Sequence, residues 1–169
     1  AYRETIKDMP GAGFVGTGSF HKMAVSRVGD LIETKILVDL TGLASSTTDL
    51  DIIGAAAGGA AYFARITAAL NGTIVGGKCE CLEAPAGGVT DIDLYAATEA
   101  TGVFDAGIAS LAETALITSG AAWTLGRVVG IAADGVAADA YLYLAGGAGG
   151  TAATYTAGRF LITLIGYAA

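Results

Sequence analysis

Few residues in this chain have types and spacings that could do chemistry. Asp49 and Asp51, with Asp91 and Asp93, form two Asp-x-Asp pairs. Four carboxylates could serve calcium if their strands met, although no EF-hand spacing surrounds them and alternating acids more often mark a solvated strand face. Cys79 and Cys81 stand at i and i+2, where a strand points both to one face but too far apart for a comfortable disulfide, and two thiols fall short of a structural zinc site. They read as small buried hydrophobes in a reducing compartment. His21 is the only histidine; a hydrolytic triad needs it beside a nucleophile and an orienting acid, and nothing nearby positions them. It reads as a polar surface or contact residue.

Two glycine-rich stretches suggest phosphate binding by their letters and not by their context. Gly11-Ala12-Gly13-Phe14-Val15-Gly16 matches the dinucleotide fingerprint. That motif needs a buried strand before it and a helix opening on the third glycine, whereas Met9-Pro10 precedes and Thr17-Gly18-Ser19 follows. Gly146 to Thr151 lacks the lysine of a phosphate loop and reads as a turn. Asn71-Gly72-Thr73 is formally a glycosylation sequon, yet Asn-Gly is better explained as a tight hairpin turn. The expectation is a protein without catalytic residues, cofactor or metal.

The elements that would carry these residues are strands. Thr34 to Thr41 alternates, with Ile36, Val38 and Leu40 on one face. Thr48–Ile52 and Thr90–Leu94 alternate likewise and read as strands of one β framework with their aspartates facing solvent. Tyr62–Thr67 and Thr73–Leu82 flank Asn71-Gly72 and are predicted to pair as an antiparallel hairpin. Segments 115–118, 122–131, 140–144 and 159–167 supply further strands, the last apolar on both faces. Gly54 to Gly59 reads as a loop, and 98–111 as a loop with at most one helical turn. Eight or nine short strands without a dependable helix predict an all-β fold, a β-sandwich closed as a jelly roll. The domain spans 23–169, behind an extended N-terminal arm at 1–22, where Met9-Pro10-Gly11 breaks any helix.

Composition bounds the partners. Of the 169 residues 53% are hydrophobic and only 15% charged, against roughly 25% in typical soluble domains. A surface so poor in charge is expected to be covered partly by other protein. The net charge of −7 argues against nucleic acid, which needs clustered Lys and Arg. Residues 1–35 carry five basic and four acidic side chains; the remainder carries four and twelve. The arm is thus nearly neutral and the body acidic. With its apolar anchors, the arm is expected to contact a neighbouring subunit, through Tyr2, Arg3, Ile6, Met9, Phe14, Phe20 and His21. The uncharged run 140–158 holds too much Gly and Thr for a membrane span. The start lacks the pattern of a signal peptide, so synthesis in a cytoplasm is expected.

Three segments carry a resemblance. Val25-Ser26-Arg27-Val28-Gly29-Asp30-Leu31-Ile32-Glu33-Thr34, the run Cys81 to Tyr95 around Pro85-Ala86-Gly87-Gly88, and Tyr155-Thr156-Ala157-Gly158-Arg159-Phe160 resemble the small structural proteins encoded beside the major capsid protein in tailed phages of marine bacteria. The resemblance implies a capsid cement, or decoration, protein. Such a protein is a β-sandwich, often a homotrimer, made in the bacterial host and carried on the exterior of an HK97-type virion, with the major capsid protein as its partner. No catalytic residue comes with it. The other readings are a phage tail or fibre domain and a carbohydrate-binding β-sandwich; the latter would want exposed aromatics near loops, whereas Trp123 falls in an expected strand.

Overall fold

The computed structural model describes residues 2–3, 10–14, 21–132 and 136–168. They form an all-β sandwich. In chain order the elements are β1 (Tyr2–Arg3), β2 (His21–Val28), β3 (Leu31–Asp39), β4 (Ala44–Ser45), β5 (Ala64–Thr67), a helical turn α1 (Ala68–Asn71), β6 (Thr73–Ala86), β7 (Ile92–Ala97), β8 (Glu113–Ile117), β9 (Val128–Gly130), β10 (Asp139–Gly146), β11 (Ala153–Thr154) and β12 (Ala157–Tyr167). Short 3-10 turns sit at Ala12–Phe14 and Ile108–Ser110. One sheet has the order β1-β2-β3-β12-β6-β9 and the other β5-β10-β7-β8, while β4 and β11 form a small ribbon. All named strand pairs are antiparallel.

Period-2 alternation builds the core between the sheets. Ile36 and Val38 of β3, Cys79 and Cys81 of β6, and Phe160, Ile162 and Leu164 of β12 meet Ile66 of β5, Leu94 and Ala96 of β7, and Leu142 and Leu144 of β10. β12 lies in the middle of its sheet, paired along its length with β3 on one side and β6 on the other.

The second sheet is buried on its far face as well, which alternation alone does not announce. Tyr95, Ala97, Tyr143 and Ala145 point away from the core and are covered by Ile52, Ala61 and Ile108 from the long connections 46–63 and 98–112. Every residue of β7 is consequently buried. This corrects the reading of Asp91 and Asp93 as a solvated face: they are 8% and 2% exposed. Thr48–Leu50 is a turn and not a strand, with Leu50 at φ 66°. Asp51 and Ile52 make only isolated bridges, to Gly107 and Ala145.

Asn71-Gly72 is no hairpin either. Thr67 caps α1 by accepting from the Leu70 amide, and Asn71 Oδ1 in turn accepts from the Thr67 amide at 2.9 Å. The chain then leaves in the other sheet: β5 pairs with β10, and β6 with β12. Asn71 is fully buried and donates to Thr34 Oγ1 at 2.8 Å, so this sequon nitrogen is a structural link between the sheets. The expected strand 122–131 shrinks to β9, because Trp123 turns inward from a loop. Its Nε1 donates to the Ile92 carbonyl at 2.7 Å and its ring meets Phe160 edge-on at 5.2 Å.

The expected positive φ at Gly72 is present, at 70°, and a Cβ there would lie 2.7 Å from the Tyr167 carbonyl oxygen. Gly72→Val is therefore expected to cost about 1–3 kcal/mol through backbone strain, read as a lower urea midpoint with an unchanged m-value.

Candidate functional site

The two thiols offer no nucleophile. Cys79 and Cys81 are free and buried; burial, then the charges of Cys81 and Glu80, pushes Cys79 up to about 12, and burial raises Cys81 too. Both stay protonated near neutral pH, and attack requires the thiolate.

The aspartates serve the loops. Asp93 accepts from the Ser119 amide at 2.7 Å, Asp51 from Ser46 Oγ at 2.8 Å, Asp91 from the Ala148 amide at 3.3 Å and Asp49 from the Gly150 amide at 3.3 Å. Asp91 and Asp49 thus hold one turn at 148–150, Asp93 fixes the backbone at Ser119, and Asp51 holds the Ser46 hydroxyl. Among the described residues no three His, Cys, Asp or Glu side chains are grouped to hold a metal ion. Arg127 works beside them, donating to Ser119 Oγ, to the carbonyls of Ser119, Ala121 and Ala122, and lying 4.9 Å above the Trp123 ring.

The fingerprint glycines have a packing role. Gly11 and Gly13 donate to the carbonyls of Tyr62 and Ala60 at 2.9 and 2.8 Å, and side chains there would strike the Ala60 and Gly59 carbonyl oxygens. Backbone lies on backbone, which only glycine permits. Phe14 follows them into the chain's own core, 3% exposed and 5.5 Å from Phe63, so its ring has almost no surface to offer a neighbour. Tyr2 and Arg3 form β1, paired with Ser26 and Val25; His21 opens β2 opposite Val38. The side chains of these three, and all of Ile6, Met9 and Phe20, lie outside the described residues. The span read as an arm thus contributes sheet edge, core and the first two residues of β2.

What the described residues leave uncovered is the outer face of the six-stranded sheet. Four rows of cross-strand partners cross it: Lys22, Leu37, Leu161 and Glu80; Ala24, Lys35, Thr163 and Lys78; Ser26, Glu33, Ile165 and Gly76; Val28, Leu31, Tyr167 and Thr73. Among the described residues no layer of loops lies on these rows as one does on the other sheet. Nine large apolar residues are exposed among the described residues, and six of them, Val28, Leu31, Val75, Leu82, Val128 and Tyr167, belong to strands of this sheet.

Compared with protein-family models, curated proteins and solved structures, the chain matches none.

Charge separates the two sides of the molecule. On the outer face, β2, β3, β6 and β12 set Lys22, Lys35, Lys78 and Arg159 against Glu33, Asp39, Glu80 and Glu83, with Lys35 3.1 Å from Glu33 and Lys78 3.2 Å from Glu80; Arg27, of the other parity on β2, lies 3.8 Å from Asp30 in the following turn. Asp39 receives Arg159 Nε at 3.0 Å and the Thr41 amide at 2.9 Å. Burial alone would raise its carboxyl, but these partners hold it below the usual value. The four-stranded sheet and its covering loops instead gather Asp49, Asp51, Asp91, Asp93, Glu99, Asp105, Glu113 and Asp139 against Arg65. No signal for this division lay in single residues; it comes from which strands share a sheet.

Asp93 yields a test of the buried acids. Burial raises its carboxyl above 3.8, the Ser119 amide opposes this, and the Asp91 charge adds to it. A carboxyl with a raised folded pKa costs stability once ionised, so the penalty sets in as pH rises through that folded pKa. Asp93→Asn keeps an oxygen for the Ser119 amide and is expected to melt above the parent protein at pH 7. The advantage should vanish below pH 3.8, where both side chains are neutral.

Proposed function

We propose that this chain is a structural virion protein, binding the outside of an HK97-type phage capsid and stabilising it by bridging major capsid protein subunits. The observation that carries the reading is the open, charge-balanced, apolar-rich face of the six-stranded sheet. One sheet is covered on both faces, by the other sheet and by the chain's own loops, while the described residues leave one face of the other sheet bare, as suits a protein that works by burying surface. The acidic side would then face solvent, where its charge keeps the particle soluble.

Strand order supports the finer fold reading. Taking β3, β5 to β10 and β12 as eight strands, the orders β3-β12-β6-β9 and β5-β10-β7-β8 pair the first strand with the last. Each successive connection except that from β7 to β8 passes to the opposite sheet. Such an order supports reading the sandwich as a jelly roll, a fold that viral capsid domains use.

A cement protein that binds the assembled shell but not its opened form stabilises the shell by mass action. Capsids stripped of this chain are expected to open at lower temperature, and adding the purified chain should restore the original midpoint in the presence of chelator. Stripped capsids as robust as intact ones would sink the proposal.

A further inference from the structure

We propose that the open sheet face binds a second copy of this chain, in an isologous dimer whose twofold axis runs across the strands between the Thr163 and Ile165 rows. The inference takes from the proposed function only that this face binds protein, and it concerns the isolated chain.

The register of the rows carries the argument. Rotation about an axis in that place exchanges the second row with the third and the first with the fourth. Lys35 of one copy then lies over Glu33 of the other, and by symmetry Glu33 over Lys35. Leu37 and Leu161 lie over Leu31 and Tyr167, and the stem of Lys22 over Val28. Opposite charges meet at the centre, and the half-buried leucines of one end meet the exposed apolar residues of the other. Axes through the Thr163 row or along β12 fail, because they set lysine upon lysine at Lys35 and Lys78. A single-residue choice of axis thus separates attraction from repulsion, as sheet alternation demands.

Charge and size agree with a self-contact. Two copies of a chain carrying −7 repel overall, and the face where Lys22, Lys35, Lys78 and Arg159 offset Glu33, Asp39, Glu80 and Glu83 is where they can approach at least cost. β2, β3, β12 and β6 give a face of roughly 30 by 20 Å at ordinary strand spacings, or on the order of 600 Å² per copy. Doubled, that reaches about 1,200 Å², the lower bound for specific interfaces. Stacked twisted sheets accept such a contact at about 30° between strand directions, and self-complementarity of one patch is what an isologous dimer requires.

Sedimentation velocity of the purified full chain, from about 5 to about 500 μM, tests this across the usual range of weak dimers. The parent protein is expected to move from monomer to dimer. Leu31→Arg and Tyr167→Arg should each raise the dissociation constant about tenfold or more, the loss typical of an apolar anchor buried in an interface. Circular dichroism melts serve as the check that both variants remain folded. Leu125→Arg, at a residue 73% exposed outside the four rows, should change nothing. Lys35→Glu should weaken the dimer, and Lys35→Glu combined with Glu33→Lys should restore it. A monomer at every concentration, a trimer indifferent to Leu31→Arg and Tyr167→Arg, or a double variant no better than Lys35→Glu alone would each overturn the proposal. A dimer that leaves capsid stability untouched would count against the cement reading and not against the dimer.

Discussion

Every backbone amide removed from water must find a partner, and in this molecule that requirement falls most heavily on loops. Segments 46–63 and 98–112 lie across the four-stranded sheet, where strands would have satisfied their amides by pairing and irregular chain does not. The solution is a second layer of main-chain bonds. Ile53 and Phe63 donate to the Leu144 and Leu142 carbonyls of β10, Ile52 to Ala106, Ala61 to Gly102, and Ile108 to Leu50. Tyr143 adds a side-chain bond through the layer, donating its hydroxyl to the Glu99 carbonyl at 2.7 Å while accepting the Gly102 amide at 3.3 Å. Burial pushes that phenol up to about 12, so it remains a donor at any physiological pH. Tyr155 does the same at the other end of the sandwich, bonding the Val89 carbonyl at 2.7 Å while Ser45 joins the Val89 amide to the Thr151 carbonyl.

Those loops explain which parts of the fold were legible in sequence. β3, β10 and β12 were visible because alternation and β-branched content are local properties. The pairing partners were not, since Asn71-Gly72 announces a positive φ without saying which strands it joins. A helical turn four residues long is too short to register as a pattern, and it was enough to send β5 and β6 into different sheets. The aspartates misled for a related reason. Alternation assigns Asp91 and Asp93 to the face opposite Ile92 and Leu94, which is right, but whether that face meets water depends on chain tens of residues away. The letters around Gly11 and Gly13 match a ligand cradle and their context argues against one, but neither tells that the atoms they approach are the carbonyls of Gly59 and Ala60.

The same separation between local and distant information holds for the candidate surface. Charge counted along the chain divides only weakly, between the first 35 residues and the rest. Counted across the folded molecule it divides cleanly, because β2, β3, β6 and β12 bring together residues from both halves of the sequence. Apart from Arg3 and His21, the arm residues singled out from sequence were chosen for being apolar in a polar, glycine-rich context, and Phe14 shows why that criterion is ambiguous: a lone aromatic among glycines is as well suited to plugging its own domain as to engaging another.

The central position of β12 has a bearing on how the chain is made. Its eleven residues leave the ribosome after those of every other described strand, yet β3 and β6 reach each other only through them. Until then both strands wait with open hydrogen-bonding edges and no common sheet, and the inner faces that will hold Ile36 and Cys79 stay wet. Strands that wait unpaired can recruit the same strands from neighbouring nascent chains. The lysines and glutamates on β3 and β6 lie within the segments at risk, where charge opposes such stacking of like on like. Their place in the finished molecule is thus also a safeguard during its synthesis, exercised before there is any sheet for them to decorate.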